Sequence, residues 1–341
     1  GKTTTTSMVA AILTEAALDP TLVIGGKVNA LGGNAKLGQG SFVVAEADES
    51  DGSFLHLPAT FVAVTNIDND HLDHFGTIEN VERSFVDFVG RIPFYGQAVL
   101  CLDDPRVASM LPRLTKPFVT YGIHAQADFR IENIFHQKDG YGFDVSFRGE
   151  KGAKIELQVP GRHNALNATA AIAIARQIGI DWKTIANGLK SFKNADRRFQ
   201  TKLKNKDFWI VDDYGHHPTE VKATLEAARS LCKGKIICVF QPHRYTRTQS
   251  CMQDFETCFE NADVLLITDI YPAGEKPILG ISSELLVKNI QKNKSAPSMS
   301  EYAADFDKVK SRVKKIAKSG DLIITMGAGS ITKFSDQLVL E

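Results

Sequence analysis

The sequence predicts an α/β protein: a mainly parallel sheet domain carrying a small antiparallel β meander, followed by a second set of βα units. Short β-rich runs alternate with stretches of helical periodicity, which is the pattern of βα units around a parallel sheet. Between residues 129 and 159 the pattern changes to alternation punctuated by turn glycines, in FRIENIFHQ, KDGYG, FDVSFRG and EKGAKIELQV, as expected of hairpins. The length of 341 residues, 43% of them hydrophobic, suits two domains with a core in each.

In the first half the candidate strands are FVVAEA (42–47), FVAVTNI (61–67), QAVLCL (97–102) and FVTYG (118–122), and the candidate helices cover 3–15, 78–90 and 163–178. A helical stretch ending near Phe192 leads through a charged connector, KNADRR, into FWIVDDY (208–214), KIICVFQ (235–241), DVLLITD (263–269) and DLIITMG (321–327), with helices between. The boundary is placed near residue 196, giving domains 1–195 and 196–341. The lysine-rich helix DKVKSRVKKIAK keeps Val309, Val313 and Ile316 on one face, so its charges form a solvated face. No internal repeat or low-complexity segment occurs.

Forty basic and forty acidic residues cancel, so nothing draws the chain to nucleic acid or to an anionic membrane. Five cysteines without a CxxC pair argue against a zinc ribbon or a disulfide framework and fit a reducing cytoplasm. No apolar run has the length of a membrane span, and no signal peptide is present. The oligomeric state is not encoded in any pattern found.

The opening GKTTTTSMVAAILTEA reads as the second half of a phosphate-binding loop passing into its helix. In such a loop backbone N–H groups face phosphate oxygens, the lysine reaches the outer phosphates and the next hydroxyl ligates Mg²⁺. Those roles fall on Lys2 and Thr3. The strand and earlier glycine of the loop would precede residue 1, so the chain reads as part of a longer polypeptide. A Thr-capped helix after a lysine is the other reading of the tripeptide alone.

EADESD follows the apolar strand FVVA, and ligands in open α/β sheets bind outside the carboxyl ends of strands. Glu46 is therefore a candidate Mg²⁺ ligand beside Thr3; an acidic surface loop is the alternative. FVAVTNI ends in DNDHLDHFG, which packs Asp68, Asp70, His71, Asp73 and His74 together. Phosphoryl transfer needs counter-charge, so a second metal site at His71 is one reading and a helix N-cap with surface charges the other. In GRHNALNATAAIAIA, Asn164 and Asn167 lie on one helical face and can offer donor and acceptor to an adenine edge, or serve as an N-cap on a core-facing Ala-rich helix. DDYGHHP (212–218) and QPHRYTRT (241–248) each follow a strand. His216, His217, His243, Arg244 and Arg247 would gather at one sheet edge if those strands are neighbours, with guanidinium forks for carboxylate or phosphate; surface salt bridges are the alternative. GAGS (327–330) is a phosphate turn or a tight strand-to-helix turn.

Together, GKTTTTS, EADESDGSFLHLPATFVAVTNIDNDHLDHFG, GRHNALNA, RRFQ, DDYGHHPTEV, FQPHRYTRT and TDIYPAGE resemble the Mur ligases of peptidoglycan synthesis over essentially the whole chain. The resemblance implies a P-loop-type central ATP-binding domain followed by a C-terminal Rossmann-like α/β domain, the family's N-terminal UDP-sugar domain being absent from this chain. It implies that ATP phosphorylates the lactyl carboxylate of UDP-N-acetylmuramate and that L-alanine attacks the acyl phosphate, with release of ADP and phosphate. By resemblance the loop Gly1, Lys2, Thr3 and Thr4 holds the phosphates, Thr3 and Glu46 hold one Mg²⁺, and His71 holds a second. Asn164 and Asn167 would read adenine, while Arg198 and Asp213 would contact the nucleotide. Tyr214, His216, His243, Arg244 and Arg247 would orient the acyl phosphate and the alanine, His216 and Arg247 joining Lys2, Glu46 and His71 in catalysis. By resemblance, sister ligases place a carbamylated lysine where this chain has Phe85; the alanine-adding branch is similar in lacking it. A murein tripeptide ligase and a nucleotide-binding module without ligase activity are the alternatives.

Overall fold

The structure, a computed structural model, describes residues 1–28, 33–137 and 140–339. They divide into two units between Asp196 and Arg197. The turn expected at KDGYG falls partly on residues 138 and 139, outside the described residues.

The first unit begins with helix α1 (Lys2–Glu15), then strands β1 (Thr21–Val28), β2 (Gly33–Lys36) and β3 (Val43–Ala45). These strands form a separate three-stranded sheet in which β1 lies between β2, antiparallel, and β3, parallel. FVVAEA, expected with the strands that follow it, instead pairs with TLVIGGKV, whose two glycines hide it from a propensity reading. The main sheet holds β4 (Phe61–Val64), β5 (Gln97–Cys101), β6 (Phe118–Gly122), β7 (Phe129–Gln137), β8 (Gly140–Phe147) and β9 (Glu150–Leu157) in that order. It is parallel through β7 and antiparallel beyond, so the meander extends the parallel sheet.

Helices α2 (Leu72–Phe75), α3 (Ile78–Gly90) and α4 (Pro105–Met110) follow β4 and β5, and α5 (Arg162–Ile178) and α6 (Trp182–Ser191) follow the meander. Thr77 caps α3 through Asn80 N at 3.3 Å, and Asp104 caps α4 through Val107 N at 2.9 Å, caps worth about 1 kcal/mol each. Strand β5 explains the layering. Val99 and Cys101 join the core under α1 and α5, whereas Ala98 and Leu100 join Phe54, Val81, Phe88 and Val107 on the other face. Period-two alternation therefore feeds two cores, as in a parallel sheet covered on both sides. The alanines of α5, such as Ala165, Ala168 and Ala171, are buried against that core, leaving room for α1 to come close.

The second unit contains β10 (Gln200–Lys204), β11 (Phe208–Asp213), α7 (Pro218–Leu231), β12 (Ile236–Phe240), α8 (Tyr245–Ser250), α9 (Met252–Phe255) and β13 (Val264–Ile267). It ends with α10 (Ser283–Gln291), β14 (Met299–Tyr302), α11 (Phe306–Ile316), β15 (Asp321–Met326) and α12 (Ile331–Val339). The strand order is β10-β11-β15-β12-β13-β14, all parallel except β10. The last strand of the chain thus lies between β11 and β12. The strands that lead into the two histidine- and arginine-bearing loops are not neighbours but flank β15, yet the loops still meet at the strand ends, where the His216 and His243 rings lie 5.7 Å apart.

Candidate active site

In the first unit, α1 starts at once from Gly1, its N-cap. A Cβ at that position would lie 2.4 Å from Asn167 Oδ1, so a larger residue would have to push that amide aside where α1 meets α5. A helix N-terminus, with its N–H groups and the positive end of its dipole, is the arrangement that binds anions. Lys2 Nζ donates to both oxygens of Glu49, at 2.7 and 2.6 Å. Burial would lower the Lys2 pKa, but Glu49, with Asp48 and Glu46, outweighs it and raises it, so Lys2 stays charged. Thr3 Oγ1 donates to Glu46 Oε1 at 2.7 Å, and Glu46 Oε2 accepts from Gly25 N at 2.7 Å. The separate small sheet therefore places Glu46 beside α1.

His71 caps α2 with φ +57°. Its Nε2 lies 3.9 Å from Glu49 Oε1 and 3.6 Å from Asp70 Oδ2. Glu49, which sequence reading passed over among the carboxylates of EADESD, joins Lys2 to His71. Asp68 and Asp70 also brace the local backbone, accepting from Asn69 N at 2.8 Å and His71 N at 2.9 Å. The side chain of Asp73 lies outside what is described. His74 sets its ring edge-on to Phe75 at 4.7 Å. Phe85 packs on Phe54, ring centroids 5.4 Å apart.

The donor set suits Mg²⁺. Thr3 Oγ1 and Glu46 Oε1 are hard oxygens 2.7 Å apart, near the roughly 2.9 Å between adjacent ligands of an octahedral ion with 2.0–2.1 Å bonds. Among the described residues no three His, Cys, Asp or Glu side chains group closely enough to hold a metal by themselves. An ion here would draw the rest of its shell from phosphate and water, as Mg²⁺ commonly does.

Asn164 and Asn167 are both buried. Asn164 Nδ2 donates to Pro160 O at 2.6 Å, and Asn167 Nδ2 donates to Asn164 Oδ1 at 3.3 Å. The pair thus ties the α5 start together and brings one amide oxygen to Gly1. Thr4 is buried on α1.

In the second unit Asp213 ends β11 and is buried. It accepts from Phe199 N and Gly215 N, each at 2.7 Å. Burial pushes its pKa up against the Arg198 charge and these N–H groups. Arg198 lies over the Tyr214 ring at 5.2 Å and 3.7 Å from Glu220, and Arg197 is 5.0 Å from the same ring. From Tyr214 a series of rings crosses the strand ends: Tyr214 to His216 at 5.3 Å, His216 to His243 at 5.7 Å, and His243 to Tyr271, stacked, at 5.6 Å. His217 turns instead toward Cys251, with Nε2 3.7 Å from Sγ. GAGS is a tight turn packed on its neighbours: a Cβ at Gly329 would lie 2.5 Å from Gln241 Oε1 and 2.6 Å from Tyr271 Cγ.

Arg247 Nη1 lies 3.3 Å from His243 Nδ1. Burial, then the charges of His216, Arg247 and Arg244, push the His243 pKa down to about 4, with Glu275 opposing. A neutral imidazole can accept at Nδ1 from a guanidinium, and this one orients Arg247. The unfolded histidine titrates near 6.5 and the folded one at about 4, so between those values the unfolded chain binds more protons. Stability should rise with pH across that window, and the His243 share should be lost as pH falls through it. Thermal unfolding of wild type and His243→Asn over the window checks this; equal slopes would refute it.

The family model described as Mur ligase middle domain matches residues 1–175, and that described as Mur ligase, glutamate ligase domain, matches residues 197–329. The chain belongs to the Mur ligase family. A UDP-N-acetylmuramate–L-alanine ligase from Geotalea daltonii is 50% identical over 339 residues, spanning 99% of this chain and 74% of that protein. The enzyme of the same name from Syntrophotalea carbinolica is 46% identical over 338 residues, 99% of this chain and 73% of that protein. Among solved structures, UDP-N-acetylmuramate-alanine ligase MurC from Thermotoga maritima superposes with a TM-score of 0.81 at 25% identity, covering all of this chain and 73% of that one. As a Mur ligase the chain has the mixed α/β fold expected of it, with parallel-dominated sheets in both units. No helix among the described residues is long and apolar enough to cross a membrane.

Proposed function

We propose that this Mur ligase joins L-alanine to the lactyl carboxylate of UDP-N-acetylmuramate, at the expense of ATP, in peptidoglycan synthesis. The observation that carries the reading is similarity over 99% of this chain, and 73–74% of the relatives, at 46–50% identity, to ligases named for that reaction. ATP phosphates would sit on the N-terminus of α1, where Lys2 offsets the β/γ charge. Thr3 and Glu46 would hold one Mg²⁺ and His71 a second. Bound metal supplies charge neutralisation for the transferring phosphoryl group. A lactyl carboxylate oxygen attacks the γ-phosphorus, giving acyl phosphate and ADP. The neutral amine of alanine then attacks the acyl carbon, phosphate leaves with the C–O electron pair, and the nitrogen gives up one proton, carried off by the departing phosphate or water. Asn164 and Asn167 would hold adenine; Arg198 would reach the nucleotide, with Asp213 shaping the turn beside it. Tyr214, His216, His243, Arg244 and Arg247 would orient the acyl phosphate and the amino acid. Five free, buried cysteines fit a cytoplasmic setting.

The test is phosphate release by the full-length protein with ATP and UDP-N-acetylmuramate over a panel of amino acids and the murein tripeptide. Turnover should be fastest with L-alanine. Preference for the tripeptide would make the protein a recycling ligase, and release that needs no amine acceptor would remove the ligase reading.

A further inference from the structure

We propose that Glu275, on the loop between β13 and α10, is a positioning residue that sets the arginines of the α8 turn. The inference rests on reading Arg244 and Arg247 as the groups that orient the acyl phosphate and the amino acid. Both oxygens of Glu275 are committed to that turn. Oε2 accepts from Thr246 N at 3.1 Å and Oε1 from Thr246 Oγ1 at 2.7 Å, while Arg244 Nε is 4.0 Å from Oε1. Partial burial works against the charge, but the Thr246 hydroxyl, the Thr246 and Tyr245 N–H groups and Arg244 hold the carboxyl below its ordinary range, so Glu275 stays ionised.

The same loop grips the segment just before the helix. Tyr271 O accepts from Arg244 N at 2.9 Å, and Tyr271 N donates to Pro242 O at 2.8 Å. The Tyr271 ring lies parallel to His243, 12° off, and His243 in turn meets Arg247. Arg244 itself has φ +71°, a region residues with a Cβ rarely adopt and hold only where their surroundings over-determine them. Helix α8 spans only Tyr245–Ser250, too short to sustain itself. The loop therefore supplies what the local sequence lacks: Tyr271 fixes the backbone of Arg244 and the face of His243, and Glu275 fixes the first turn. Arg247 lies in the first turn of the helix that starts at Tyr245, so fixing that turn through Thr246 also fixes the place of Arg247.

The experiment compares wild type, Glu275→Gln, Glu275→Asp and Thr246→Val in the full-length protein. Two readouts are taken: steady-state kinetics with L-alanine and with ATP varied separately, and amide exchange of the segment 243–251. Glu275→Gln should raise KM for alanine at least about tenfold while KM for ATP stays within about twofold. It should also speed exchange of the segment about tenfold. Glu275→Asp should recover part of both. Thr246→Val, which deletes only the hydroxyl contact, should give a smaller change in the same direction, and it carries the test if Glu275→Gln does not fold. Unchanged exchange would overturn the proposal. So would faster exchange with an unchanged alanine KM, because the contact would then be merely structural. Failure of the wild type to use alanine would sink the ligase reading instead; exchange, which needs no substrate, would still decide whether Glu275 holds the turn.

Discussion

Glu46→Gln should lower ATP-dependent turnover by at least about a thousandfold, roughly 4 kcal/mol of transition-state stabilisation, with little change in melting temperature. The substitution is isosteric, and its amide oxygen can still accept from Gly25 N, now 2.7 Å from Glu46 Oε2. What it removes is the negative charge beside the Thr3 hydroxyl. If Thr3 and Glu46 are the two protein ligands of a Mg²⁺, losing the charged one would carry a large penalty where the phosphoryl group moves, because Mg²⁺ takes few protein ligands. Partial recovery at high Mg²⁺ would trace the defect to metal affinity. Near-normal turnover at ordinary Mg²⁺ would mean that Glu46 is only the anchor of β3 against β1.

Arg247→Lys should slow amide formation by at least about tenfold, or roughly 1.4 kcal/mol, with ATP affinity little altered. One guanidinium nitrogen already faces His243 Nδ1, at 3.3 Å. The planar fork can meet that acceptor and a substrate oxygen together; an ammonium serves one at the expense of the other. Rapid-quench measurement of amide formation alongside nucleotide titration separates the outcomes. If the variant bound ATP weakly yet turned over normally at saturation, Arg247 would be a nucleotide contact, and the roles given to the second unit would need redrawing.

Local signals carried much of the fold. Helix α3 and strand β6 occupy the expected 78–90 and 118–122, because Thr77 caps the helix and Pro117 and Gly122 bound the strand. Strand β1 escaped notice because GG interrupts its apolar run, and with it went the pairing that carries Glu46. The place of β15 between β11 and β12 is set by tertiary packing of the chain's last strand, which no window of sequence reports. Site chemistry was legible as clusters more than as partners. The run of acids around Glu49 offers several equivalent carboxylates, and only the fold shows which one meets Lys2. Asp213 stands in DDYGHHP as a strand-end acid given to the nucleotide by resemblance, and only the fold shows Phe199 N and Gly215 N both donating to it. Glu275 stands far from the arginines in sequence and carries no pattern linking it to them.

The ion pair of Lys2 with Glu49 bears on product release. A helix start with a lysine beside it attracts any small anion, orthophosphate included. Here an internal carboxylate already occupies the lysine, so each incoming anion must displace it. With Lys2 and Glu49 side chains 40% and 19% exposed, that competition is worth at most about 1 kcal/mol, roughly fivefold in occupancy. Such a margin is trivial against a triphosphate gripping many N–H groups at once, but it is a sizeable share of the weak hold on a single phosphate. If the ATP phosphates sit on α1 as proposed, Glu49 would act as a built-in competitor that favours release of a single phosphate and keeps the loop selective for the long polyanion.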